Sequence, residues 1–288
     1  MRDLNYQLKK LGERNRDGSY GTQHKRAWIL SKIANQLHEL GYRQMRATSL
    51  KQKHVEALVK LWQEQNLSPG TIKNRMAVLR WWAQKVNKHS VIAKSNAHYG
   101  IMQRRYVCTQ SKAKDIDDAQ LARITDPYTR LSLCLQREFG LRREESIKFT
   151  ARYADQGDHV LLKPSWTKGG KARQIPILTE SQRQLLEEVA ALAGSASLIP
   201  ADKSFIQQLR IYKRQVMNAG LNRMHGLRHQ YAQRRFREIS GFDCPHAGGP
   251  TRTALTSAQR ELDQRARRAI SRELGHEREQ IVSVYVGR

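Results

Sequence analysis

Arg142, Lys168, His225, Arg228, His276 and Tyr285 lie from the middle of the chain onward, most of them in tight local patterns. Gly140-Leu141-Arg142 is followed by Glu145, His225 stands three places before Arg228, and Leu274-Gly275-His276 is followed nine places on by Tyr285. Together these positions supply two guanidiniums, an ammonium, two imidazoles and a phenol. That set suits attack by a tyrosine on a phosphodiester crowded by cations. Planar guanidiniums donate paired hydrogen bonds to phosphate oxygens, and an imidazole titrates near neutrality. A free phenol has a pKa of about 10 and needs such help to attack at neutral pH.

Composition fits a polyanionic partner. The 288 residues include 52 Lys+Arg against 26 Asp+Glu, a formal charge of +26. Nucleic acid is the usual partner of such an excess. A hydrophobic content of 39% supplies a packed core and excludes a disordered basic tail. Cys108, Cys134 and Cys244 are far apart and form no paired framework, as expected in a reducing cytosol. The start, MRDLNYQLKK, has no apolar core of a secretion signal, and no apolar run approaches the roughly 20 residues that span a bilayer. The expectation is a soluble protein of the cytoplasm, with no membrane contact.

The elements that must position the chemistry divide into two domains. Residues 1–21 read as a polar arm. Residues 22–105 read as a four-helix domain. One helix runs from about Thr22 to Leu40 and a second from about Leu50 to Gln65, each with apolar residues at three- and four-residue spacing. A third opens at Ser68-Pro69, a cap followed by proline at the first helical position, and a weaker fourth covers Ser95 to Arg104. Lys73, Arg75, Arg80, Lys94, Arg104 and Arg105 form basic polar faces that suit phosphate contacts. Residues 106–115, with Lys112 and Lys114, read as a linker. The second domain, 116–288, opens at a capping box of Asp117 and Gln120 and is helical except for short strands within 158–177, turning at Gly169-Gly170. The fold class is therefore mainly α: a helical domain followed by a mostly helical α+β domain with a small sheet.

The order and spacing of the six residues resembles the signature of the tyrosine recombinase (phage integrase) family. The resemblance is specific over residues 140–288 and one of layout alone back to residue 22. It implies a SAM-like core-binding domain that clamps the duplex opposite a catalytic domain. It implies that Tyr285 forms a 3′-phosphotyrosine, that Arg142 and Arg228 clamp the scissile phosphate with Glu145 in support, and that His225 and His276 handle protons or bond phosphate oxygens. Lys168 precedes the glycines of the hairpin turn, where the family places its general acid, with Lys171 as the rival. His229 is read as structural. Cys244-Pro245-His246 resembles half a zinc knuckle, but no second pair stands at ligand spacing, so neither metal nor cofactor is expected.

The expected partners are double-stranded recombination sites, further copies of the chain forming a tetramer on DNA, and an accessory bending protein. The expected reaction is strand exchange through a Holliday junction, with a type IB topoisomerase-like activity or a non-catalytic DNA-binding protein as alternatives. Two departures separate this chain from the family pattern. The interval from Arg228 to His276 is about twice the usual one and holds an insertion around 240–262. The sequence also ends three residues after Tyr285, where many relatives carry a tail helix that couples protomers. Both departures fit an integrase of a mobile element or genomic island.

Overall fold

The computed structural model describes residues 3–288 and divides into two units, 1–105 and 106–288. The boundary coincides with the start of the expected linker.

Four α-helices build the first unit: α1 (Asp3–Arg14), α2 (Tyr20–Glu39), α3 (Gln52–Glu64) and α4 (Pro69–Lys85). The start of the chain is therefore not a free arm. Leu4 and Leu8 recur at helical spacing and are buried with Ile33, Leu37, Leu58, Trp62, Met76 and Trp82. The Gln7 side chain also accepts from the Ala47 amide at 2.8 Å. The polar composition of this stretch hid a helix with a narrow apolar stripe. Conversely, the expected helix over 95–104 is only a short 3₁₀ turn, Ala97–Tyr99, closed by Gly100 in the left-handed region. Ser68 caps α4 as expected, its hydroxyl accepting from the Thr71 amide.

In the second unit, α5 (Asp118–Ala122) starts at the Asp117–Gln120 capping box. Asp126 caps α6 (Pro127–Phe139), so Asp126-Pro127 is a helix start as well as a break. Next come α7 (Arg143–Ile147), α8 (Ala151–Ala154) and an antiparallel pair, β1 (His159–Leu162) with β2 (Arg173–Pro176), in which Leu162 faces Arg173. The stretch around Trp166, expected as strand, is a 3₁₀ turn over Pro164–Trp166. The chain continues through α9 (Glu180–Ala193), α10 (Phe205–Asn218), α11 (Gly226–Ser240), α12 (Ser257–Glu273) and α13 (Ser283–Val286). Two apolar clusters meet along α6 and α11. Leu135, Phe139 and Phe236 pack with the sheet, α9, α12 and α13, while Leu133 and Leu227 pack with Tyr212 and Val216 of α10. Both helices are thus fixed from two sides, and the turn after α6 and the start of α11 carry the candidate arginines. No described helix is long and apolar enough to cross a membrane.

The docking of α1 is testable. Four of the five tryptophans lie in the first unit, so their fluorescence follows its unfolding. Leu8→Ala should destabilise this unit by about 2–5 kcal/mol in urea, whereas an arm residue would leave the midpoint unchanged.

Candidate active site

Phe139 ends α6, and Gly140 reverses the chain at φ 60°. A Cβ at Gly140 would stand 2.5 Å from the Tyr231 ring, so both the conformation and the space require glycine here. Arg142 follows as the cap of α7. Glu145 reaches back from the first turn of that helix. It accepts from the Arg142 amide at 2.6 Å and from the Arg142 guanidinium at 2.7 Å. Glu145 is fully buried, and Arg173 of β2 grips both of its oxygens at 2.8 and 2.6 Å. Burial alone would raise the carboxyl's pKa. The bonds and charge of Arg173, with the charges of Arg228 and Arg142, outweigh that and hold it at about 2.

Arg228 lies in the first turn of α11 and is 1% exposed. Its terminal nitrogens donate to the backbone carbonyls of Gly140 and Leu274, and its Nε faces the Tyr285 hydroxyl at 3.5 Å. Desolvation pulls the guanidinium down to about 10, which still leaves it charged at neutral pH. Arg142 also reaches the Leu274 carbonyl, at 3.4 Å. One peptide oxygen, two residues before His276, thus ties both arginines to the end of α12.

Tyr285 is buried on α13, ringed by imidazoles. Ring centroids lie 4.5 Å away for His229, 5.4 Å for His276 and 6.2 Å for His225. Desolvation, followed by the Arg228 and Arg142 charges, lowers His276 to about 3. The same order of causes lowers His225. Desolvation, then His225 and Lys112, lowers His229 to about 4. His229 and His276 are therefore neutral at pH 7. Nε2 of His276 and Nδ1 of His229 are buried and have no hydrogen-bond partner among the described residues.

The structure brings five of the six expected catalytic residues together: Arg142, His225, Arg228, His276 and Tyr285. Lys168 stands apart on the exposed turn after β1 and makes no hydrogen bond or ion pair among the described residues. Its rival Lys171 is held by Glu277, the neighbour of His276, at 2.5 Å. His229 is a correction. It belongs to the site because positions four apart share a helix face, and its ring lies 5.6 Å from that of His225. Arg173 was missed as well, although alternation along β2 places it on the inward face with Ile175.

The basic residues outside this centre separate into two groups. Lys94, Arg104, Arg105 and Lys112 are exposed, and Lys73 and Lys114 are half-buried. The Lys114 amide bonds the Gly226 carbonyl at 3.1 Å and its ammonium bonds Asn222 at 2.7 Å, so residues of the linker pack against the start of α11. Arg75 is a correction. It is buried with its guanidinium 5.2 Å from the Trp62 ring centroid, off the polar face on which it was expected. Arg80 is half-buried and bonds Ala93 and Asn96, both at 2.9 Å, holding the loop after α4.

Glu145→Gln should cost about 3–5 kcal/mol of stability at pH 7, because it leaves buried arginines without their counter-ion. The carboxyl's folded value, about 2, lies below its unfolded value of 4.5. The wild type's advantage is therefore full above pH 4.5 and shrinks as pH falls toward 2. Urea unfolding of both proteins across that range measures it.

A family model described as phage integrase, N-terminal, matches residues 1–91, and one described as integrase matches residues 102–234. No curated protein sequence matches the chain. Among solved structures, a lambda integrase dimer bound to a COC′ core site is 13% identical with a TM-score of 0.63, over 98% of this chain and 75% of that one. The Tn1549 transposon integrase in complex with circular intermediate DNA is 14% identical with a TM-score of 0.58, over 100% and 96%. The XerH site-specific recombinase bound to difH is 15% identical with a TM-score of 0.56, over 98% and 80%. These likenesses establish the fold. The two family matches, which together span most of the sequence, place the chain in the phage integrase family, the tyrosine-type site-specific recombinases.

Proposed function

We propose that this recombinase cuts and rejoins DNA through a 3′-phosphotyrosine on Tyr285. The observation that carries the reading is the convergence of two arginines and three imidazoles on one buried phenol, with Arg228 Nε 3.5 Å from its hydroxyl. In the proposed step the phenolic oxygen attacks the scissile phosphorus and the bond to the 5′-oxygen breaks. The phenolic proton passes to His225, and Lys168 protonates the leaving 5′-oxygen. Arg142 and Arg228 donate to the non-bridging oxygens as charge accumulates there, and loss of one such donor typically costs about 3 kcal/mol of barrier stabilisation. The unpartnered Nε2 of His276 is a further donor in the appropriate tautomer. Attack by a 5′-hydroxyl reverses the step, so the covalent link itself conserves the energy for rejoining.

The same reading extends to the assembly: double-stranded DNA sites, a tetramer and a Holliday junction. Support comes from the family and from the fold shared with a lambda integrase tetramer that was solved bound to a Holliday junction, at a TM-score of 0.64. In the first unit, Lys94 and Arg105 are exposed and suited to phosphate contacts, with Arg104 beside the start of α4. Arg75 is not part of that surface. The likeness to a transposon integrase agrees with a role in moving a genetic element.

Two substitutions test the chemistry on nicked duplexes made from the DNA that flanks the gene. Tyr285→Phe should keep DNA binding and form no covalent adduct on a denaturing gel; adducts from this variant would remove Tyr285 as nucleophile. Lys168→Ala should bind normally and cleave at least about 100-fold more slowly, within the usual range for loss of a general acid. A bridging 5′-sulfur needs little protonation to leave. It should restore cleavage to Lys168→Ala but not to Arg142→Ala, and rescue of Lys171→Ala instead would transfer the role.

A further inference from the structure

The insertion between α11 and α12 has no part in the chemistry above, yet it touches the nucleophile. Its first portion is a tight loop. Cys244 is fully buried, its carbonyl accepts from the amides of Ala247 and Gly249, and Pro245–Ala247 forms a 3₁₀ turn. A Cβ at Gly249 would overlap the Asp243 carbonyl at 1.6 Å, so this loop closes only around glycine. The turn presents His246 to the end of α13. Gly287 follows there at φ 85°, and a Cβ on it would meet Pro245 and His246 at 2.9 Å.

The His246 ring has a backbone oxygen at each nitrogen. Nδ1 lies 3.1 Å from the carbonyl of Tyr285 itself, and Nε2 lies 2.9 Å from the carbonyl of Cys108 in the linker. Gln233 of α11 makes a parallel bridge. Its amide nitrogen donates to the Tyr285 carbonyl at 2.9 Å and to the Ser111 hydroxyl at 2.8 Å. Carbonyl oxygens only accept. A neutral imidazole has one N–H and serves one of the two, while the imidazolium serves both. The helix so held has only four residues, too few to fix its own direction through internal hydrogen bonds. Arg267 is a further polar anchor, donating to the Gly287 carbonyl at 2.9 Å and the Ser283 hydroxyl at 3.3 Å, and Arg228 Nε faces the Tyr285 hydroxyl.

We infer that His246 is a positioning residue for Tyr285, a latch through which the insertion holds the nucleophile's backbone. The inference rests on Tyr285 being the nucleophile. Residues 106–111 lead in from the first unit, so a movement of that segment would be felt at the Tyr285 carbonyl through His246 and Gln233. The insertion then has a defined task, which is to help aim the short helix that carries the nucleophile.

The two ring nitrogens lie at different distances from Cβ, and this gives the test. Asn places a donor near the position of Nδ1, toward Tyr285, while Gln places one near Nε2, toward Cys108. Adduct formation is measured in single turnover at saturating nicked duplex from the flanking DNA, with affinity measured separately. His246→Ala should bind within two-fold of the wild type and form adduct about 10- to 100-fold more slowly, the scale of a small misplacement of a reacting group. His246→Asn should recover most of the rate, and His246→Gln should not. The inference is overturned if Ala forms adduct within two-fold of the wild type, if its defect lies in affinity alone, if Asn is as slow as Ala, or if Gln recovers as well as Asn. Tyr285→Phe is run alongside. Adducts from that variant would sink the assignment of the nucleophile, whereas its silence beside an unaffected His246→Ala would sink the latch alone.

Discussion

A carboxylate stripped of all its water is unstable unless neighbours replace that water with charge and hydrogen bonds, and Glu145 is in this position. Its two oxygens take bonds from Arg142 and from Arg173, which arrive from α7 and the β2 strand. The charge of Arg228, on α11, also acts on it. Three elements distant in sequence are therefore registered against one small anion. Without it, Arg142, Arg173 and Arg228 would repel one another, and the pocket would have no reason to gather them. One negative charge among three positive ones leaves an excess that a phosphate diester can satisfy.

The rest of the centre is held by backbone atoms and by a second buried carboxylate. Gly140 and Leu274 offer carbonyls to Arg228, so the guanidinium is set by the main chain at the ends of α6 and α12. Nearby, Glu273 accepts from the Tyr231 hydroxyl at 2.7 Å and from Arg235 at 3.1 and 2.9 Å. This fixes α12 to α11 one residue before Leu274. Tyr231 in turn fills the space that Gly140 leaves. Charge, turn geometry and packing thus agree on one arrangement, which is what rigid transition-state stabilisation needs.

Much of the site was legible because its chemistry is concentrated in short local patterns. Gly140 through Glu145 spans six residues, His225 to Arg228 four and Leu274 to Tyr285 twelve, so each pattern can be read from local spacing. What escaped depended on long-range packing. Arg173 looks like one more basic residue of a hairpin until its partner Glu145 is located 28 positions earlier. The place of His229 was readable from its four-residue offset to His225, which sets its ring against Tyr285. His246 has no signal, since its role exists only because the insertion folds back on Tyr285. In the first unit the same division holds. The cap at Ser68-Pro69 was plain, but α1 was obscured by polar residues around a stripe of two buried leucines, and Arg75 was placed on the wrong face because a guanidinium over a tryptophan is invisible to charge counting.

Counting donors on Arg228 bears on how the pocket fills. A guanidinium has five N–H groups. In this structure one each points to Gly140, Leu274 and the Tyr285 hydroxyl, and the side chain has almost no contact with solvent. Two donors remain for an incoming oxyanion. The third becomes free only when the phenol leaves Nε. On the proposed reading, nucleophile and phosphate compete for one hydrogen atom, and the arginine passes from guarding the tyrosine to holding its target.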